Sequence, residues 1–300
     1  MTEVLVRAAC FITIIFFGAL LRRTGFFQKD DFHLLSRIVI RITLPAAIIT
    51  NFASRDLDYS LLVLIGIGFG CGIIHMLTAW LLNRRRGSAA QAFAVLNTSG
   101  VNIGNFVLPF AQGFLGPAGV MAVSLFDVGN AFTCLGGAYS AAEMILNRQS
   151  RFSLRPVFRA LVKSVPLVTY VIVCLLSILR VHLPDPVVTL AGIVGSANAF
   201  LAMLMLGISL QIDFRRIPEI LRLLLPRYVI GIILGILCRL FLPLPPVYRP
   251  VLIIPFLGPV ATAAPAFTAQ LNGDYELAGT VNSFSILLSA ALITAILLIQ

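Results

Sequence analysis

The residues with chemistry to offer gather inside apolar surroundings. One run reads AVLNTSGVNIGNFVLPFAQ, over residues 94–112. Asn97, Thr98, Ser99, Asn102 and Asn105 bring amides and hydroxyls, Gly100 and Gly104 loosen the backbone, and Pro109 removes a donor. In a helix, glycine costs about 1 kcal/mol relative to alanine and proline about 3 kcal/mol. Amides need partners that hydrocarbon does not supply. The run therefore predicts a broken helix: a first half to about Ser99, an unwound centre, and a second half from near Phe106 with Pro109 in its first turn. A second run, VLIIPFLGPVATAAPAFTAQLN, is interrupted by Pro255, Gly258, Pro259 and Pro265. Two broken helices meeting at membrane depth would present free N–H groups and positive dipole ends from their second halves, which suit a carboxylate. Free carbonyls and Asn side chains from the first halves would suit a cation or a proton-bearing group. The candidate substrate-binding residues are Asn102, Gly104, Asn105, Pro109, Gly258, Pro259, Thr262 and Pro265. The competing reading is that the Asn side chains only cap the broken ends.

Asp127 is the sharpest single residue. It lies in AVSLFDVGNAF with apolar neighbours on both sides, and an intramembrane acid is a functional hypothesis by default. Asn130, three residues on, shares its helix face. Together they are the candidates for proton or ion coupling; the competing reading is a span-end acid near the outer interface. Arg41 lies about 10 Å into its span and is a candidate for attracting an anion, against the simpler reading that it snorkels to the surface. His75 and Glu143 carry no assigned role, and Trp80 reads as an interface residue.

The elements that position these residues follow from composition. The chain has 300 residues, 59% hydrophobic and 11% charged, with mean hydropathy +1.00. That excludes a soluble domain and predicts an all-α integral membrane protein. The net charge of +10 sits in short loops, so nucleic acid is not an expected partner. Cys10, Cys71, Cys134, Cys174 and Cys238 form no CxxC or Cys/His cluster, so reduced thiols are expected and no metal site. No cofactor, nucleotide or catalytic motif is present, so no enzyme is expected and energy must come from a gradient. The first apolar run lacks a cleavage site and reads as a retained span rather than a signal peptide.

A span needs roughly 20 residues. Ten are expected: 4–21, 34–52, 60–82, 89–113, 118–146, 161–181, 187–212, 221–242, 250–271 and 278–299. Loops after spans one, three, five and seven are basic, with Arg22, Arg23 and Lys29; Arg84, Arg85 and Arg86; Arg148, Arg151, Arg155 and Arg159; and Arg215 and Arg216. The intervening loops hold only Arg55, Arg180 and Arg249. The positive-inside rule puts the first set in the cytoplasm and both termini outside. The loop after span nine breaks the trend with Asp274 and Glu276. Residues 148–163 form a basic linker, read either as an amphipathic helix on an anionic leaflet or as a solvated loop. It separates a first five-helix repeat (1–147) from a second (164–300). An odd number of spans per half makes the repeats inverted, and the two interrupted spans fall at corresponding positions.

Residues 101–132, GVNIGNFVLPFAQGFLGPAGVMAVSLFDVGNAF with its leading Gly100, together with Leu44–Pro45 and the Pro-rich ninth span, resemble the auxin efflux carrier family. That family includes plant PIN carriers and bacterial relatives often described as malonate or organic-acid permeases. The most specific part is the NxGNxxLP pattern of Asn102, Gly104, Asn105, Leu108 and Pro109. The resemblance implies a ten-helix inverted-repeat fold, also seen in bile-acid sodium symporters, with crossed fourth and ninth helices and elevator-type movement. The short central linker fits a bacterial member, and a small carboxylate rather than auxin itself as substrate.

The resulting expectation is a secondary transporter of small organic anions, proton-linked, in a plasma membrane such as the bacterial inner membrane. The alternative is a sodium-coupled symporter of bile-acid type; a channel or a non-transporting receptor is a further class. The expected partners are the organic anion, a proton or sodium ion and the lipid bilayer, with homodimerisation possible through small residues on the spans.

Overall fold

The computed structural model describes residues 2–28, 30–53, 57–147 and 153–299. Lys29, Arg55, Arg148 and Arg151, used above for orientation, lie outside the described residues. All regular structure there is helical, apart from one isolated antiparallel bridge.

The helices are α1 (Thr2–Arg23), α2 (Asp31–Ala53), α3 (Tyr59–Asn83), α4 (Ser88–Thr98), α5 (Leu108–Phe114), α6 (Gly116–Leu146), α7 (Leu154–Lys163), α8 (Val165–Ile178), α9 (Asp185–Ser209), α10 (Phe214–Phe241), α11 (Ala264–Gln270) and α12 (Tyr275–Ile299). Seven of these, α1, α2, α3, α6, α9, α10 and α12, are long and apolar enough to cross a membrane. Taken as one span, α7 and α8 make an eighth, bent by 69° at their junction. The remaining two expected spans are the interrupted ones. Each is divided into pieces too short to cross alone.

The linker reading resolves in part. Residues 154–163 form the helix α7, which presents Leu154, Phe158 and Val162 outward and carries Arg155, Arg159 and Lys163. Its Val157 is buried against Gly136 of α6, where the backbone has φ +156°. The expected sixth span, 161–181, is correspondingly shorter: Pro166 sits in the first turn of α8, and the chain turns sharply before it.

Helix packing gathers into groups, joined by contacts of α2 and α8 with α6 and of α1 with α12. α1, α2, α8 and α9 pack on one another. α3 packs on α4 and α6, α10 on α12, and α11 on α4 and α12. Glycines allow the closest approaches. A Cβ on Gly18 or Gly207 would strike the α9 or α1 backbone, and one on Gly68 or Gly129 would strike the α6 or α3 backbone. Small residues are the usual means of bringing membrane helices together. The acidic loop after the ninth segment also finds its reason. Asp274 accepts from Arg216 Nη2 at 2.6 Å, so acid and base share one end of the molecule. Arg22 of α1 donates at the same end to the Ile208 and Leu210 carbonyls, at 2.8 and 3.0 Å.

Candidate functional site

The two interrupted segments meet. α4 ends at Thr98, and helix resumes in a π-helical turn at Ile103–Val107 that leads into α5. Pro109 is the second residue of α5, but helix has already resumed six residues earlier at Ile103, so the N–H it lacks is one the preceding turn would have bonded. The ninth segment contains less regular helix than expected. Its first half is two 3-10 turns, Pro246–Leu252 and Ile254–Leu257, and its second is the seven-residue α11 with Pro265 at its start. Closely spaced prolines remove N–H donors and push the preceding residue out of the α region, so no full α-helix forms.

Between the halves, the unwound strands pair as an antiparallel bridge, Val101 with Val260. Asn102 N donates to Pro259 O at 2.8 Å and Ala261 N to Gly100 O at 3.1 Å. Backbone exposed by the break must find partners in protein, and neighbouring helices supply them twice over. On one side, Asn130 of α6 accepts from Val101 N at 3.0 Å and donates Nδ2 to Val101 O at 2.8 Å. On the other, Ser285 Oγ of α12 accepts from Val260 N at 3.0 Å, and Asn282 Nδ2 donates to Val260 O at 2.9 Å. Cys134 adds a thiol contact to Val101 O at 3.3 Å. Gly258 lets the segments close: a Cβ there would lie 2.5 Å from Val101 Cγ1 and 2.6 Å from Val107 Cγ2.

A cavity of about 180 Å³ opens beside the bridge. Asn102, Gly104, Asn105, Asp127, Asn130 and Thr262 all line it, with Tyr170 of α8 and Ile40 and Leu44 of α2 facing them. Asp127 is therefore a cavity residue. Asn130 Nδ2 donates to its Oδ1 at 3.0 Å and the Tyr170 hydroxyl to its Oδ2 at 3.4 Å. Asn102 caps the resumed helix, its Oδ1 accepting from Asn105 N at 3.3 Å. Asn105 Nδ2 reaches Thr262 Oγ1 at 3.4 Å. Capping leaves capacity over: Asn102 Nδ2 and Asn105 Oδ1 are buried and have no hydrogen-bond partner. Two residues that line the cavity thus each keep one buried, unpartnered polar atom, a donor on Asn102 and an acceptor on Asn105, beside one acid.

Pro109, Gly258, Pro259 and Pro265 shape the crossing but do not line the cavity. Arg41 lies on an exposed face of the π-helical turn of α2, outside the cavity. A larger cavity of about 440 Å³, near Arg180, His182 and Asp185, lies away from the break.

Reasoning from the sequence overlooked Arg227, Tyr170, Asn282 and Ser285. Arg227 of α10 is 2% exposed and donates to Thr98 O, to Gly258 O at 2.9 Å and to Pro259 O at 3.2 Å. A charge inside LLLPRYVIG was signal enough. Asn282 and Ser285 are modest residues whose role depends on what passes beside them.

These features define a class: a multi-pass helical membrane protein whose polar centre is a crossing of two broken segments. Residues 4–153, half of the chain, match the family model described as "Membrane transport protein". The chain belongs to that family, the membrane transporters related to the auxin efflux carriers and PIN proteins. No curated protein matches the chain.

Proposed function

We propose that the protein is a proton-linked secondary transporter of small organic anions, with the cavity at the crossing as its substrate site. The observation that carries this reading is the pair of buried, unpartnered amide atoms on cavity-lining residues, Asn102 Nδ2 and Asn105 Oδ1, beside the acid Asp127. A carboxylate would accept from Asn102 Nδ2 and from the Thr262 hydroxyl, while a substrate hydroxyl would donate to Asn105 Oδ1. About 180 Å³ is smaller than the roughly 300–1,000 Å³ of sites for drug-sized ligands. This favours carboxylates of a few carbons.

Asp127 supplies the link to protons. Two negative charges about 4 Å apart repel by about 4 kcal/mol at an effective dielectric of 20. A hydrogen bond to a charged group returns only about 1.5–3 kcal/mol. An anion would therefore enter with Asp127 protonated, and substrate and proton would travel together. Ten spans in two inverted five-helix repeats fit the paired supports at Val101 and Val260, each given by the span that follows its break. Residues of α2 and α8 face the broken segments across the cavity, an arrangement that suits elevator-type movement of one packing group past the other. The basic loops would face the cytoplasm, with both termini outside.

The test is counterflow of acetate, malonate and succinate in proteoliposomes. Wild type is expected to show saturable exchange that rises as pH falls, and Asp127→Asn is expected to flatten that pH dependence. An unchanged pH profile in the variant would remove the proton role; absence of any saturable exchange would remove the transport reading.

A further inference from the structure

Arg227 sits deep in α10 and reaches both broken segments at once. Its guanidinium donates to the last carbonyl of α4, Thr98 O, and to the carbonyls that follow the 3-10 turn, Gly258 O and Pro259 O. Among the described residues no carboxylate pairs with it. Its negative counterpart is the main chain. The C-terminal end of a helix carries roughly half a negative charge, and here such an end converges with two further carbonyls in a place that water scarcely reaches. Carbonyl oxygens gathered in this way at membrane depth are the usual ligands of a coupling cation in broken-helix carriers. In this chain a side chain already fills the position. The rigid fork of arginine reaches several oxygens together and stays charged, which suits a permanent occupant.

We propose that Arg227 is the resident cation of the crossing. Its guanidinium occupies the carbonyl-bounded position that a coupling metal ion would otherwise take, so the carrier binds and moves its substrate without sodium or potassium. Arg227 does not line the substrate cavity. It is a positioning residue: its charge acts on the substrate through the segments it holds. The inference rests on the crossing being the transport site, and deepens that reading by assigning the ion.

The experiment compares wild type, Arg227→Lys and Arg227→Gln, purified and in proteoliposomes, in sodium, potassium and choline chloride at equal ionic strength. The readouts are counterflow of whichever of acetate, malonate or succinate the wild type exchanges, and the thermal unfolding midpoint in detergent. Wild type is expected to give the same exchange and the same midpoint in all three salts. R227Q is expected to lose about tenfold or more, as for the loss of a charged hydrogen-bonding group, and R227K, which keeps the charge without the fork, to fall between R227Q and wild type. A wild type that stops in choline, or whose midpoint climbs saturably with sodium alone, overturns the proposal. So does an R227K as poor as R227Q, which would make the role one of fork geometry, or an R227Q as active as wild type. If neither variant folds, the wild-type salt comparison still decides. If wild type exchanges none of the carboxylates, the transport reading fails, while the midpoint comparison still reads the resident cation.

Discussion

Asn102 does two things with one amide. Its oxygen caps the helix that resumes after the break, and its nitrogen is left over, buried and unpartnered, beside the cavity. An alanine there removes both. A lost hydrogen bond to a charged ligand is worth about 1.5–3 kcal/mol, so Asn102→Ala should weaken carboxylate binding by roughly one to two orders of magnitude, as read by titration calorimetry on the purified protein. Unaltered binding would assign Asn102 to capping alone. The polar residues legible in the sequence were those whose presence is costly in hydrocarbon wherever they point: Asn102, Asn105 and Asp127. Arg227 belonged to the same class and was overlooked. Ser285 and Asn282 were not legible, because a serine or asparagine in a membrane helix commonly bonds within its own helix. Only the passage of Val260 beside α12 gives these two a partner in the break.

The elements that matter most are the two that fail to form. In the fourth segment, glycines and asparagines interrupt an otherwise α-helical run, and helix resumes through a π-helical turn. In the ninth, prolines convert most of the first half into 3-10 turns. Their closeness depends on Gly258, which faces Val101 and Val107. Overpacking a tight site costs typically 1–3 kcal/mol. Gly258→Ala should therefore lower thermal stability by about that much and widen the crossing, seen as a lower unfolding midpoint in detergent together with reduced exchange. A variant as stable and active as wild type would show that the contact is not tight in the working protein. The positions of both breaks were readable from proline and glycine alone. The 3-10 character of the ninth segment was not, because it reflects how successive prolines accommodate one another within a packed interior.

For the molecule as a whole, α1, α2, α8 and α9 pack mainly on one another and meet the remaining helices through α2 and α8 on α6 and α1 on α12, which raises the question of relative motion. Phe11 of α1 lies against Gly113 of α5, where a Cβ would stand 3.0 Å from the Phe11 ring, and Arg7 Nη1 donates to Gly113 O at 2.5 Å. The Phe11 ring tip, not its Cβ, meets Gly113, which is too far for a direct disulfide. A short bis-methanethiosulfonate should instead link cysteines at positions 11 and 113, in a background free of the native thiols, and stop exchange, with reduction restoring it. Full exchange in the linked protein would exclude movement of α5 past α1. The sequence by itself determined the medium, the helical class, the two interruptions and most of the polar cavity residues, because each follows from what hydrocarbon forbids locally. Tertiary structure alone decided that the interruptions pair as Val101 with Val260, that Asp127 faces the cavity rather than an outer surface, and that Arg227 closes the carbonyl ends. Those outcomes depend on contacts between residues far apart in the chain, and the cost of an unpaired polar group does not say which distant partner will satisfy it.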